Sequence, residues 1–123
     1  MTYLLDVSTI IALLWQTHAD HTKVSAWAKG KKLAVCPITE LGFIRVSTSR
    51  AFGLPMADAR KLLEDFIGSV EFVPGDLRAL EGVAAPTSAK TTDWYLANLA
   101  QKHGVQWATL DQSARHPATE LVG

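Results

Sequence analysis

The sequence predicts an α/β fold in three layers, with a mainly parallel sheet of four to five strands between two layers of helices. Short apolar runs, typical of buried strands, alternate along the chain with segments whose apolar residues recur every three to four positions. Strands that alternate with helices in this way usually pair in parallel. A chain of 123 residues is long enough for one domain with a substantial core, so we predict a single domain over residues 1–123.

The N-terminal stretch carries the most informative pattern. Residues 3–5 form an apolar run that favours a buried strand, and Asp6 follows it directly. Ser8 is placed to cap the next helix, whose apolar positions extend to Leu14. Asp6 is therefore expected where a central strand ends, at the edge where α/β sheets bind ligands.

Glycine, proline and changes of periodicity divide the rest of the chain into elements. The predicted elements of the first half are a helix at residues 21–29, a strand at residues 33–36 and a helix that starts near Ile38 or Thr39. A further helix opens at Pro55, closes at Gly68 and buries Leu62, Leu63, Phe66 and Ile67. The predicted elements of the second half are a strand at residues 70–73, a helix at residues 77–83 capped by Asp76, a helix capped by Thr91 or Thr92 and stopped at Gly104, a strand at residues 105–110 and an edge strand at residues 119–122.

The composition limits the classes of partner and the compartment. Twelve basic and twelve acidic residues give no net charge, so any contact with nucleic acid must come from a local basic patch. The longest apolar stretch, residues 7–15, is too short to span a bilayer, and the N-terminus lacks the basic region of a signal peptide. A single cysteine, Cys36, excludes an intrachain disulfide and fits a reducing cytoplasm.

Four carboxylates are expected to meet at the carboxyl-end edge of the predicted sheet. They are Asp6, Glu40, Asp93 and Asp111. Right-handed crossovers bring these strand ends together, and acids so close repel one another unless a cation lies among them. Oxygen ligands suit Mg²⁺ or Mn²⁺ rather than zinc. Such a metal lowers the pKa of bound water and clamps a phosphate oxygen, as phosphodiester hydrolysis requires.

Each acid also has a purely structural explanation. Glu40 and Asp93 lie in the first turns of helices, where carboxylates favour the helix dipole, while the other two lie at junctions between a strand and a loop. Their joint placement is what favours a metal site. Ser8 and Thr109 each lie two residues from an acid, and we predict that they orient a carboxylate or a metal-bound water. Ser8 as a plain helix cap is an equal alternative.

Four motifs in this order resemble the PIN domain, and in particular the VapC-type toxins of bacterial toxin–antitoxin pairs. They are Leu4-Leu5-Asp6-Val7-Ser8, Thr39-Glu40 with Arg45, Thr92-Asp93-Trp94-Tyr95-Leu96-Ala97 with Ala100, and Ala108-Thr109-Leu110-Asp111. The resemblance covers nearly the whole chain, although many relatives carry Asn or Thr where this chain has Ser8.

The resemblance implies a Mg²⁺- or Mn²⁺-dependent endoribonuclease. Its catalytic and metal-binding acids would correspond to Asp6, Glu40, Asp93 and Asp111. Members commonly form homodimers, and a cognate VapB-type antitoxin silences them by placing its tail in the toxin groove, often with an arginine near the acids. The substrates of the family include tRNA and rRNA.

A near-neutral chain that binds RNA needs local cations. We predict contacts to RNA phosphates from Arg45, Arg50, Arg60 and Lys61, with solvated surface charge or an ion pair to a site acid as the alternative. Two further expectations concern single residues. His18 is expected to be an ordinary loop histidine, because no four-ligand zinc pattern surrounds it, and Trp94 is expected to face outward, at an interface.

Other functions remain as alternatives. A phosphotransfer receiver needs a further acidic pair after the first strand, and a haloacid-dehalogenase-type phosphatase needs a second Asp where this chain has Ser8. A PIN-fold interaction or regulatory module would usually have lost one or more of the four acids. A DNA-directed nuclease is the closer rival, since metal-assisted phosphodiester cleavage does not itself distinguish the sugar.

Overall fold

The central element is a parallel sheet of five strands. The computed structural model describes all 123 residues. The strands are β1 (Thr2–Leu5), β2 (Lys32–Val35), β3 (Glu71–Phe72), β4 (Gln106–Thr109) and β5 (Thr119–Leu121). They lie in the order β3-β2-β1-β4-β5, and every neighbouring pair is parallel. This confirms the predicted α/β class, and it places β1 in the middle of the sheet.

Helices cover both faces of the sheet. They are α1 (Val7–Leu14), α2 (His21–Ala28), α3 (Pro37–Ser47), α4 (Met56–Ile67) and α5 (Thr91–Lys102). Adjacent residues of β1 point to opposite faces, so Leu4 packs in a core cluster with α5 while Leu5 packs in a second cluster with α1 to α4. None of the helices combines the length and the apolar character that crossing a membrane requires.

Two local features bring α1 and α3 together beside the end of β1. Pro37 occupies the first turn of α3, where its missing N–H costs no hydrogen bond. Gly42 of the same helix faces Val7 of α1, and a Cβ at position 42 would collide with Cγ2 of Val7. The buried Thr39 hydroxyl also donates to the Leu5 carbonyl at 2.8 Å, which ties α3 to the strand that ends at Asp6.

The helix predicted at residues 77–83 does not form, and Asp76 caps nothing. Asn98 of α5 instead accepts a hydrogen bond from the Val83 N–H at 3.0 Å and donates to the Val83 carbonyl at 2.9 Å. Gly82 has a φ of +82°, which a right-handed helix cannot contain. Asp76 binds His103 at 2.7 Å, so the segment is fastened to α5 by side chains rather than by its own helical bonds.

The caps and one buried face also differ from the prediction. A 3₁₀ turn at Ser88–Lys90 leads directly into α5, so neither of the two expected threonines caps that helix. In α4, Leu63 is buried, whereas Leu62 and Ile67 are each 37% exposed, so the buried stripe is narrower than expected. Trp94 is buried against Trp107, with ring centroids 6.1 Å apart, and does not face outward.

Candidate functional site

Three of the predicted acids line one open pocket at the carboxyl end of the sheet. The pocket has a volume of about 420 Å³, and Asp6, Asp93 and Asp111 all face it. Asp6 follows β1, Asp111 lies two residues beyond β4, and Asp93 lies in the first turn of α5. Because β1 and β4 are adjacent parallel strands, their ends bring the first two acids to one edge.

Asp6 caps α1, a role that the sequence assigned to Ser8. Its Oδ1 accepts the Ser8 backbone N–H at 2.7 Å and the Ser8 hydroxyl at 3.0 Å. Asp6 is extended, with a ψ of 160°, and lies just outside the helix, while Ser8 lies inside the first turn. The prediction of Ser8 as the cap is therefore wrong, but its hydroxyl does orient a site carboxylate.

Thr109 holds the other oxygen of Asp6. The buried Thr109 hydroxyl donates to Asp6 Oδ2 at 2.7 Å and accepts the backbone N–H of Asp111 at 3.1 Å. One hydroxyl thus contacts both acids that end neighbouring strands. With three hydrogen bonds received and about four lone-pair positions in a carboxylate, Asp6 keeps about one position for a further ligand.

The acids of this pocket perturb one another. The pKa of Asp93 is raised to about 6, mainly by burial and also by the negative charges of Asp6 and Asp111, while the positive charge of Lys90 opposes the shift. Burial also raises the pKa of Asp6, although the hydrogen bonds from Thr109 and Ser8 oppose that shift. Two carboxylates that both resist ionisation are the electrostatic sign of a place for a cation.

Lys90 supplies a positive charge that the sequence analysis missed. Its ammonium group forms an ion pair with Asp111 Oδ2, and the pKa of Lys90 is raised by this contact and by the charges of Asp93 and Asp6. The hydrogen bond from Lys90, with others from Ser113, lowers the pKa of Asp111 to about 2. The only signal in the sequence is that this lysine lies three residues before Asp93.

Glu40 does not line this pocket with the other three acids. It lies in the first turn of α3, as predicted, and its pKa is raised by burial alone, without a contribution from another carboxylate. The structure therefore brings together three of the four predicted acids, and the part assigned to Glu40 stays a prediction.

The basic residues predicted to contact RNA lie on α3, on α4 and in the turn between them. Arg45, Arg50, Arg60 and Lys61 are all exposed. Lys61 pairs with Asp65 at 2.9 Å across one turn of α4, so part of its charge is already compensated. Arg45 lies on the wall of an apolar groove that adjoins the acid pocket through Val7. Their contacts with RNA stay a prediction.

The oxygen donors of the pocket suit a hard divalent metal, although the acidic side chains are too far apart to coordinate one ion together. No three His, Cys, Asp or Glu side chains lie close enough together to form a ready coordination group. The pocket nevertheless offers carboxylate oxygens from three elements, a free lone-pair position on Asp6, and the raised pKa of Asp93. Closing these carboxylates on an ion requires Lys90 to leave Asp111 or to share it.

Comparisons of the sequence with known families identify the fold of this site. The family model of the PIN domain matches residues 3–119. The chain belongs to the PIN domain family. The match contains Asp6, Glu40, Asp93 and Asp111, and it ends within β5.

Curated relatives place the chain among the VapC-type members. It is 32% identical over 118 residues to the ribonuclease VapC38 of Mycobacterium tuberculosis, which covers 88% of this chain and 84% of that protein. It is 33% identical over 126 residues to the ribonuclease VapC29 of the same organism, covering 94% and 90%.

Solved structures of two VapBC complexes share the fold. The first is VapBC2 from Rickettsia felis bound to a promoter DNA fragment, with a TM-score of 0.64 and 15% identity over 98% of this chain and 97% of that one. The second is DNA-bound VapBC from Salmonella typhimurium, with a TM-score of 0.63 and 17% identity over 98% and 96%. At these identities the likeness supports the three-layer PIN fold.

Metal-free protein should lose stability as Asp93 ionises. The folded chain holds a proton on Asp93 up to about pH 6, whereas the unfolded chain releases it near its ordinary pKa of 3.8. The folded state therefore binds more protons in this window, and stability contributed by the neutral carboxyl falls as pH rises through it. In EDTA, the melting temperature of Asp93→Asn should be close to that of the wild type near pH 4 and higher than that of the wild type at pH 7.5. Circular dichroism measures both melting temperatures.

Asp58→Asn is the matched control, because this first-turn carboxylate of α4 lies outside the acid pocket. Because it loses only a small helix-dipole interaction, it should not melt above the wild type at any pH. If the melting temperatures of the wild type and Asp93→Asn change with pH in the same way, Asp93 is not held in the neutral form.

Proposed function

We propose that this chain is a metal-dependent endoribonuclease of a VapBC-type toxin–antitoxin system, formed by one nuclease domain and acting in the cytoplasm. The observation that carries the proposal is the pocket shared by Asp6, Asp93 and Asp111. It lies in a chain whose curated relatives are VapC ribonucleases. A catalytically inactive module is disfavoured, because all of the acids that the family resemblance implies are present.

The proposed roles follow from the position of each acid. Asp6 and Asp93 would bind the metal directly, and Asp111 would complete the site after separating from Lys90. Glu40 would tune the site from the first turn of α3. A bound Mg²⁺ or Mn²⁺ supplies a lowered pKa for a coordinated water and neutralises charge on a phosphate oxygen.

The chain's own residues keep the acids in place during this chemistry. Thr109 and Ser8 fix both oxygens of Asp6, so that the carboxylate presents one orientation to the pocket. Lys90 pairs with one of the site acids, so once it is released from Asp111 its ammonium group is close enough to the site to contact the RNA phosphate backbone. The predicted contacts from Arg45, Arg50 and Arg60 would extend this positive margin.

A VapB-type antitoxin is the proposed protein partner. A groove of about 660 Å³ lies next to the acid pocket and is lined mostly by apolar side chains of α3 and its neighbours. Leu41 and Met56 line the same groove and are 64% and 53% exposed, and apolar residues exposed together in this way are typical of binding surfaces. We infer that an apolar segment of the antitoxin packs there, with Arg45 at its edge.

Two further properties rest on the family resemblance alone. The homodimer, and tRNA or rRNA as the class of substrate, stay predictions for this chain. Neither is needed for the roles assigned to the acids.

Cleavage of total RNA by the wild type and by Asp6→Asn tests the proposed activity. Asparagine keeps the helix cap but removes the charge, so we expect Mg²⁺- or Mn²⁺-dependent cleavage to fall by at least about 100-fold, since even indirect metal partners commonly contribute 10- to 100-fold. Gel electrophoresis of the products is the measurement. EDTA should stop the wild type, and Asp58→Asn should cut normally.

Equal cleavage by the wild type and Asp6→Asn would reject the site. A parallel reaction on single-stranded DNA of the same sequence separates the two nuclease classes. Metal-dependent cutting of DNA but not RNA would favour the DNA-directed alternative.

The groove proposal predicts a loss of partner binding from one substitution. Leu41→Arg places a charge in the apolar groove and should weaken binding to the cognate antitoxin at least about tenfold, as measured by calorimetry on the purified pair. Leu80→Arg is the control, because Leu80 is 99% exposed and lies outside the groove. The groove is not the binding surface if both variants bind as tightly as the wild type.

A further inference from the structure

The acid pocket has further lining residues that the proposed chemistry does not use. Besides the carboxylates, it is lined by Phe52, His18 and the aliphatic side chains of Ile11 and Val46. Phe52, a residue type that is most often buried, is 43% exposed. Carboxylates and an aromatic ring therefore line the same space of about 420 Å³, within the size range of small-ligand pockets.

The Phe52 ring is held in position from behind. Trp15 contacts it edge to face, with ring centroids 5.1 Å apart and an interplanar angle of 68°. The indole N–H of Trp15 donates to the buried Ser47 hydroxyl at 3.1 Å, which fixes the supporting ring. One edge or face of Phe52 is thus packed, while the rest of the ring stays accessible.

The backbone around Phe52 is ordered as well. A tight turn after α3 returns the Phe52 and Gly53 N–H groups to the Ser49 carbonyl at 3.2 and 2.7 Å. Gly53 has a φ of +67°, a conformation that glycine adopts without strain. The ring is therefore preorganised, so a ligand that stacks on it would not have to order the turn first.

His18 adds a hydrogen-bond donor to the same pocket. Its Nδ1 accepts the backbone N–H of Asp20 at 3.0 Å. Because one ring nitrogen accepts, the neutral imidazole carries its proton on Nε2, where it can be donated to a ligand. An aromatic platform beside a donor matches the two faces of a nucleotide, which presents a flat base and polar acceptors.

We propose that Phe52 and His18 form a nucleotide subsite in which an unpaired base next to the scissile phosphate stacks on Phe52. The inference rests on the proposed nuclease function and assigns the residues that hold the base beside the cut. A base inside an A-form duplex is stacked between its neighbours and cannot reach the ring. Base–aromatic stacking is tolerant of sequence, so the subsite selects strand state more than base identity.

A double-mutant cycle between protein and RNA tests this subsite. The substrate is a short unstructured RNA that the wild type cuts, intact or with an abasic nucleotide on either side of the cut. For the wild type, the abasic change at the stacked position should weaken binding and cleavage at least about fivefold. Phe52→Ala should bind and cut the intact RNA more weakly than the wild type by a similar factor. On the abasic RNA, the variant and the wild type should bind and cut equally.

Two variants and a duplex control for packing effects. Phe52→Tyr keeps the ring and should stay within about twofold of the wild type. Phe52→Leu loses the ring but keeps an apolar side chain against Trp15, so it should fold normally yet bind more weakly. Binding is followed in EDTA by the anisotropy of a labelled RNA, so that it is measured without cleavage. The same RNA in a duplex should bind the wild type and Phe52→Ala alike.

The outcomes separate this inference from the proposed function. The subsite alone is overturned if the wild type cuts RNA and Phe52→Ala binds and cuts both the intact and the abasic RNA as well as the wild type does. It is also overturned if Phe52→Ala loses the same factor in binding on single-stranded and on duplex RNA. If no RNA is cut, the nuclease proposal fails, and a comparison of how tightly the wild type and Phe52→Ala bind an unstructured RNA in EDTA still decides whether the ring contacts a base. A loss of antitoxin binding with RNA binding intact would reassign Phe52 to the partner surface and overturn the inference.

Discussion

The site depends on the buried carboxylate that ends the central strand. Asp6 is only 4% exposed, and hydrogen bonds from Ser8 and Thr109 hold both of its oxygens. The same group caps α1, so strand, helix and site share one anchor. Burying the Asp6 carboxylate without these three donors would cost several kcal/mol in lost solvation. The hydrogen bonds from Ser8 and Thr109 offset that cost.

Charge balance is the second constraint on the pocket. Asp93 and Asp6 both resist ionisation, and Lys90 is the cation that offsets their repulsion while paired with Asp111. A divalent ion would take over that task with twice the charge. The arrangement therefore resembles a metal site in which a lysine stands beside the acids, and metal binding and the position of Lys90 should be linked.

Much of the architecture could be predicted from local patterns. The alternation of strands and helices gave the parallel sheet, and the placement of acids after strands led to Asp6 and Asp111. Both acids are followed two residues later by serine, and Ser113 binds Asp111 as Ser8 binds Asp6, a repeated motif that went unnoticed. The cap of α1 was misassigned because both residues are good caps, and only the backbone angles decide between them.

Long-range contacts explain what the sequence could not show. Residues 77–83 have helical spacing, but Asn98 takes the polar groups of Val83 and holds the segment in another conformation. Lys90 pairs with Asp111 and Phe52 shares a pocket with Asp93, and no local pattern identifies neighbours so distant in sequence. Glu40, in contrast, fits the family motif yet lies outside the pocket, so motif and geometry disagree at that residue.

The most direct test of the central claim is a crystal structure of the wild-type chain with Mn²⁺, in which anomalous scattering locates the ion. We expect a peak in the acid pocket, with oxygens of Asp6 and Asp93 at about 2.0–2.4 Å from it and Lys90 displaced from Asp111. A pocket without an anomalous peak at saturating Mn²⁺, with Lys90 still paired to Asp111, would contradict it.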